Sequence, residues 1–153
     1  MRDEVTGLEY SKYDPQINTN DEIVMQPGVY VICKRHDASV LELRIEETRE
    51  FMPGYQVLYV GKTNASLRQR IINQHFHGSG RNSTLRRTIG NLMGYEHFLL
   101  PGGRYRFITE HEQALTLYMA TRFIAFYSPT EQTEHYEHML IMRYSPPLNH
   151  TIY

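Results

Sequence analysis

The 153-residue chain is long enough to form one domain with its own core, and 41% hydrophobic with 22% charged residues is an ordinary globular composition. A lone cysteine, Cys33, excludes an internal disulfide and a cysteine-rich zinc site, and no apolar run approaches the ~20 residues that cross a bilayer. Net charge is −1, but it is unevenly spread. Between Lys62 and Arg106 stand eight basic residues against the single acid Glu96, a net +7, so the remainder carries −8. Seven of the eight are arginines, whose planar fork suits bidentate phosphate contacts. A basic middle in an otherwise acidic chain reads as a phosphate-facing surface, with Lys62, Arg68, Arg81, Arg86 and Arg87 as nucleic-acid contacts. The polar start, Met1-Arg2-Asp3-Glu4, has no apolar signal region, which leads us to expect a cytoplasmic protein with no membrane partner.

In chain order, residues 1–26 are polar and weakly periodic and read as an N-terminal arm. Residues 27–153 read as a single domain. Pro27-Gly28 marks a turn, and Val29-Tyr30-Val31-Ile32-Cys33 a buried strand. Val40 to Ile45 alternates like a half-exposed strand. After the Pro53-Gly54 turn, Val57-Leu58-Tyr59-Val60 reads as a second buried strand ending at Gly61. The period then becomes helical: Leu67 and Ile71 share a face, Asn64 or Ser66 can cap the start, and Gly78-Ser79-Gly80 ends it. A further helix is expected from Ser83 to near Gly94, with Leu85, Ile89 and Leu92 inward. Pro101-Gly102-Gly103 is a loop, Glu112 to Arg122 a helix with Leu115 and Met119 in the core, and Phe123 to Tyr127 a third strand. Thr130 can cap a last helix carrying Tyr136, Leu140 and Tyr144, which Pro146-Pro147 ends. The expected fold is α+β: a small, mainly antiparallel sheet of three or slightly more strands flanked by helices.

Two strands bearing Gly28-Val29-Tyr30 and Tyr59-Val60-Gly61, if adjacent, bring two phenols together, with glycines allowing close backbone approach. Arg70 from the following helix and Glu137 from the last would complete a cleft of two phenols, a guanidinium and a carboxylate. Phosphodiester hydrolysis needs such groups: one to activate water, a cation to offset phosphoryl charge, and a carboxylate for a hard divalent ion.

These segments resemble the GIY-YIG nuclease superfamily, in a largely uncharacterised bacterial branch. Gly28-Val29-Tyr30 is similar to its first motif, Tyr59-Val60-Gly61 to its second, and Leu67-Arg68-Gln69-Arg70 to its arginine helix. Glu137, Pro146-Pro147-Leu148 and Asn149 resemble its metal-binding glutamate and terminal asparagine. The resemblance implies a DNA endonuclease in which Tyr30, Tyr59, Arg70 and Glu137 act at phosphorus and Glu137 holds one Mg²⁺ (or Mn²⁺). It also implies that Gly28, Gly61 and Asn149 shape the site, and that a homodimer or two sequential nicks would be needed to cut both strands. Two features depart from the pattern. The stretch from Val31 to Leu58 is long, and the histidine often found four residues after the arginine is here Gln74. His75 is the preferred substitute, with His77 as the alternative. Arg68 is the fallback for Arg70, and Glu131 and Glu134 compete with Glu137 on sequence grounds. The histidine pairs His75/His77 and His135/His138 lack the partners of a zinc site and read as surface residues, except for the role given to His75. The alternative function is a catalytically silent nucleic-acid-binding module of the same fold; a structural or toxin-like interaction protein is a further rival.

Overall fold

A computed structural model describes residues 1–149; residues 150–153, the end of the expected domain, lie outside the described residues. Four antiparallel strands form the main sheet: β1 (Ser11–Tyr13), β2 (Gly28–Lys34), β3 (Gln56–Thr63) and β6 (Phe123–Pro129), in the order β1-β6-β2-β3. Between β3 and β6 run a π-helix (Gln69–Phe76), α1 (Thr84–Leu92), a small hairpin of β4 (His97–Leu99) and β5 (Tyr105–Phe107), and α2 (Thr109–Arg122). Helix α3 (Thr133–Tyr144) and a short 3-10 turn (Pro147–Asn149) close the description. The α+β class and the antiparallel sheet agree with the sequence-based expectation, and the sheet has one more strand than the minimum.

Side chains alternate along β2, so the sheet buries a cluster on each face. Tyr30 and Ile32 join Leu67, Ile71, Phe76, Leu85, Ile89, Leu115 and Met119 on the side of the π-helix, α1 and α2. Val29, Val31 and Cys33 face Leu140 and Tyr144 of α3. The sheet is therefore a middle layer, buried on both faces, which is why its strands read as continuous apolar runs. Among the described residues no helix is long and apolar enough to cross a membrane.

Three stretches differ from the sequence reading. Residues 40–45 form a 3-10 turn over Leu41–Leu43 rather than a strand. Both sides of β2 are already paired, by β3 and β6, and in this stretch Leu43 is buried while Leu41 is 84% exposed. The expected Pro101-Gly102-Gly103 loop joins two strands that the sequence reading does not contain, the hairpin β4–β5; all three residues of β4 are exposed, so no alternation betrays it. The first 26 residues, expected as an arm, supply edge strand β1 and bury Tyr10, Tyr13 and Ile23. Asp14 takes a bidentate contact from Arg35 at 2.5 and 2.7 Å, which ties the residue after β1 to the residue after β2.

Candidate active site

The register of β2 and β3 sets the site. Tyr30 lies opposite Gly61 and Ile32 opposite Tyr59, so both phenols share one face on a diagonal. Their ring centroids are 6.3 Å apart. A Cβ built at Gly61 would overlap the Tyr30 ring, so only glycine lets that ring lie across β3. Gly28 is equally constrained, by the Ser128 carbonyl and Leu67. Gly61→Ala should displace the Tyr30 hydroxyl. If cleavage runs through that hydroxyl, about 1 Å of misplacement should lower it by about 10²-fold with the fold retained, readable from single-turnover rates and the CD spectrum; an unchanged rate would place the Tyr30 hydroxyl outside the reaction.

Tyr30 Oη lies 2.6 Å from His75 Nε2, and His75 Nδ1 lies 2.7 Å from Ser83 Oγ. Ser83 is also the N-cap of α1, accepting the Arg86 backbone N–H at 3.0 Å. The N-cap of α1 therefore fixes the hydroxyl that holds the His75 imidazole. Burial, reinforced by Arg70 and Arg86, lowers the His75 pKa to about 3, so the ring is neutral across the physiological range. Burial also raises the Tyr30 pKa well above 10, aided by Tyr59 and opposed by Arg70, so the phenol keeps its proton unless a neighbour takes it.

The π-helix explains why His75 stands where an α-helix would bring position 74. In a π-helix the i→i+5 closure, seen in the bond from His77 N to the Ile72 carbonyl, brings residue i+5 over residue i. Residue 75 thus takes the place relative to Arg70 that residue 74 takes in an α-helix. His75 is 1% exposed, whereas His77 is exposed beyond the helix end. The structure brings His75 to Tyr30 and leaves His77 outside.

Arg70 is half-buried, acts electrostatically on both Tyr30 and His75, and its Nε is buried without a hydrogen-bond partner among the described residues. Glu137, half-buried on α3, also acts on Tyr30; burial raises its pKa, Lys62 opposes this and Glu134 adds to it. Glu134 points to solvent, 84% exposed, and pairs with Lys62 at 3.7 Å, while Glu131 is exposed. Asn149 spans the outer edge of β3: its Oδ1 accepts from Val60 N and its Nδ2 donates to Val60 O, both at 2.8 Å. That pair of hydrogen bonds ties the chain after α3 to the motif strand.

The basic residues divide into different roles. Arg86 was expected to meet phosphate, and the structure corrects this. It is fully buried and donates all five of its N–H groups inside the protein: to Glu112 Oε1 twice, to the Glu112 carbonyl, and to the His75 and Phe76 carbonyls. Arg68 donates to the Ile23 and Asp21 carbonyls and anchors the N-terminal segment rather than a ligand. Arg81 and Arg87 face a cleft beside Arg70. Ser83 as the partner of the histidine, Glu112 as the partner of Arg86 and Arg104 as a wall of that cleft have no signal in the sequence. A larger, mostly apolar groove of 510 Å³, lined by His77, Thr116, Leu117 and other residues of α2, contains none of Tyr30, Tyr59, Arg70, His75 or Glu137.

The GIY-YIG catalytic-domain family model matches residues 28–152. The chain belongs to the GIY-YIG nuclease superfamily. That membership supports a nuclease-type function and a nucleic-acid substrate. No curated protein and no solved structure gives a significant match. Among the described residues no group of three or more His, Cys, Asp or Glu side chains is suited to hold a metal. The single Glu137 carboxylate fits a hard ion that keeps most of its waters and takes further oxygens from phosphate, as Mg²⁺ does, and does not fit zinc.

Proposed function

We propose that this protein is a metal-dependent endonuclease that hydrolyses phosphodiester bonds in DNA. The observation that carries this reading is the 2.6 Å contact between the Tyr30 hydroxyl and the neutral, buried His75 imidazole, with Arg70 alongside. A phenol with a raised pKa is a poor base alone; the neutral imidazole accepts its hydrogen bond, and a bound phosphate, by countering Arg70, removes one cause of the lowered His75 pKa and favours transfer of the phenol proton to Nε2 as Tyr30 takes one from water. With the proton of His75 on Nδ1 and directed at Ser83 Oγ, the Nε2 lone pair faces Tyr30. Water attacking phosphorus then loses its proton to Tyr30 Oη, and Tyr30 passes its own to His75. Arg70 offsets charge growing on the phosphoryl oxygens, and Tyr59 positions the phosphate or the water. One Mg²⁺ (or Mn²⁺) on Glu137 would supply Lewis-acid stabilisation of the phosphoryl and leaving oxygens. A single such site cuts one strand, so double-strand cleavage would use a homodimer or two nicks.

The test is nicking of supercoiled plasmid with and without Mg²⁺, by the wild type and by Glu137→Ala. Metal-dependent nicking that the variant lacks is the expected result. No nicking by the wild type, with DNA binding retained, would establish the catalytically silent binding module instead.

A further inference from the structure

Next to Arg70 the surface holds a polar pocket of 280 Å³ in which Arg70, Arg81, Arg87 and Arg104 converge. Asn82, Thr84 and Gln74 complete its lining, and no carboxylate contributes to it among the described residues. None of the ion pairs among the described residues uses any of these four arginines. Like-charged guanidiniums gathered without a counter-charge are unfavourable unless an anion joins them, and phosphate matches their donor geometry. Arg70 lines this pocket, and its buried Nε has no hydrogen-bond partner among the described residues.

The pocket is also held in shape before any ligand arrives. Arg87 donates to the Gly80 carbonyl at 2.5 Å and to Thr84 Oγ1 at 3.0 Å, and lies over the Tyr105 ring at 5.7 Å. Tyr105 is fixed in turn by the Asn91 amide at 2.7 Å. Arg104 comes from the β4–β5 connection, so the hairpin that the sequence hides supplies one wall.

We propose that this pocket binds a second phosphate group of the nucleic-acid substrate, distinct from the one being cleaved, and so sets the register of the strand. The inference takes its ligand from the nuclease reading above. Arg70, shared by the pocket and by the Tyr30–His75 centre, couples the two: a phosphate seated in the pocket places a neighbouring one at Tyr30. Two sources carry this chemistry, an internal phosphodiester and a terminal phosphate at a nick or end.

The experiment compares Glu137→Ala with the same protein carrying Arg81→Ala and Arg104→Ala, two exposed positions outside the reaction centre. DNA affinity is followed by fluorescence anisotropy across a salt series, and melting temperature is recorded for both proteins. Loss of the two arginines should weaken binding about tenfold at low salt and flatten the slope of log affinity against log salt by about 1, at unchanged melting temperature. Nicked duplexes with a 5′-phosphate or a 5′-hydroxyl identify the source. A preference for the 5′-phosphate that disappears in the variant assigns a terminal phosphate, and equal binding of both with the flattened slope assigns an internal one. Unchanged affinity and slope would overturn the proposal. Because binding is read in the Glu137→Ala background, a wild type that fails to nick DNA while the slope still flattens removes the nuclease reading and leaves the pocket standing.

Discussion

Tyr30→Phe should lower cleavage by about 10²–10⁴-fold while leaving the fold and DNA affinity nearly unchanged. Phenylalanine keeps the ring that lies across Gly61 and removes only the hydroxyl 2.6 Å from His75 Nε2. The proposed proton path from water to the imidazole would then be broken. If Tyr30 only filled space, the rate would be unaffected. The pH profile gives a second readout. An exposed histidine acting as base would impose an acid limb near its ordinary pKa of about 6.5. His75, with its pKa lowered to about 3, imposes none there, so the wild-type rate should show no inflection near 6.5. Stability should register the same burial. The unfolded chain binds a proton at His75 below about 6.5 that the folded protein refuses until about 3, so folding weakens as pH falls through that window. An acid limb near 6.5 that disappears in Tyr30→Phe would contradict the neutral-imidazole relay.

The strands and helices that pack on the sheet were legible because their periodicity records burial. Val29 to Cys33, Leu85 and Ile89, Leu115 and Met119, and Leu140 all point where their spacing indicates. The motif residues were legible as well, since two glycine–tyrosine tripeptides in order with Arg70 and Glu137 form a joint pattern that single residues lack. What sequence hid is set by non-local contacts. A π-helix has no composition signal, yet it decides that His75 rather than Gln74 takes the place beside Arg70 that meets Tyr30. Ser83 reads as a helix cap, and its second bond to an imidazole eight residues earlier depends on how two helices pack. Charge counting treated Arg86 as equivalent to Arg87, although one is 0% exposed and the other lines a cleft. The difference is one helical position: Arg86 follows Leu85 on the inward side of α1. Its partner Glu112, on a separate helix, was the missing information.

Arg86→Met should therefore act on stability, not on DNA contact. The guanidinium is enclosed and its five donors are all satisfied, and Glu112 Oε2 meanwhile accepts Gly80 N at 2.9 Å and Phe107 N at 3.0 Å. Burial lowers the Arg86 pKa and Glu112 opposes that shift, so the ion stays charged at the cost of its hydration. Removing one partner strands Glu112 Oε1 and frees the His75 and Phe76 carbonyls at the end of the π-helix. Breaking a buried pair in this way costs about 3–5 kcal/mol, against a typical domain stability of about 5–15 kcal/mol. For a chain of this size the melting temperature should fall by about 6–20 °C. Arg86→Met combined with Glu112→Gln removes both charges and keeps an acceptor for Gly80 and Phe107. The double variant should thus lose less than the two single losses together, with a coupling of about 0.5–3 kcal/mol. The π-helix end carries His75, so the single variant should also lose cleavage activity at temperatures where it remains folded. An unchanged melting temperature with a flatter salt dependence of DNA binding would instead return Arg86 to the nucleic-acid surface.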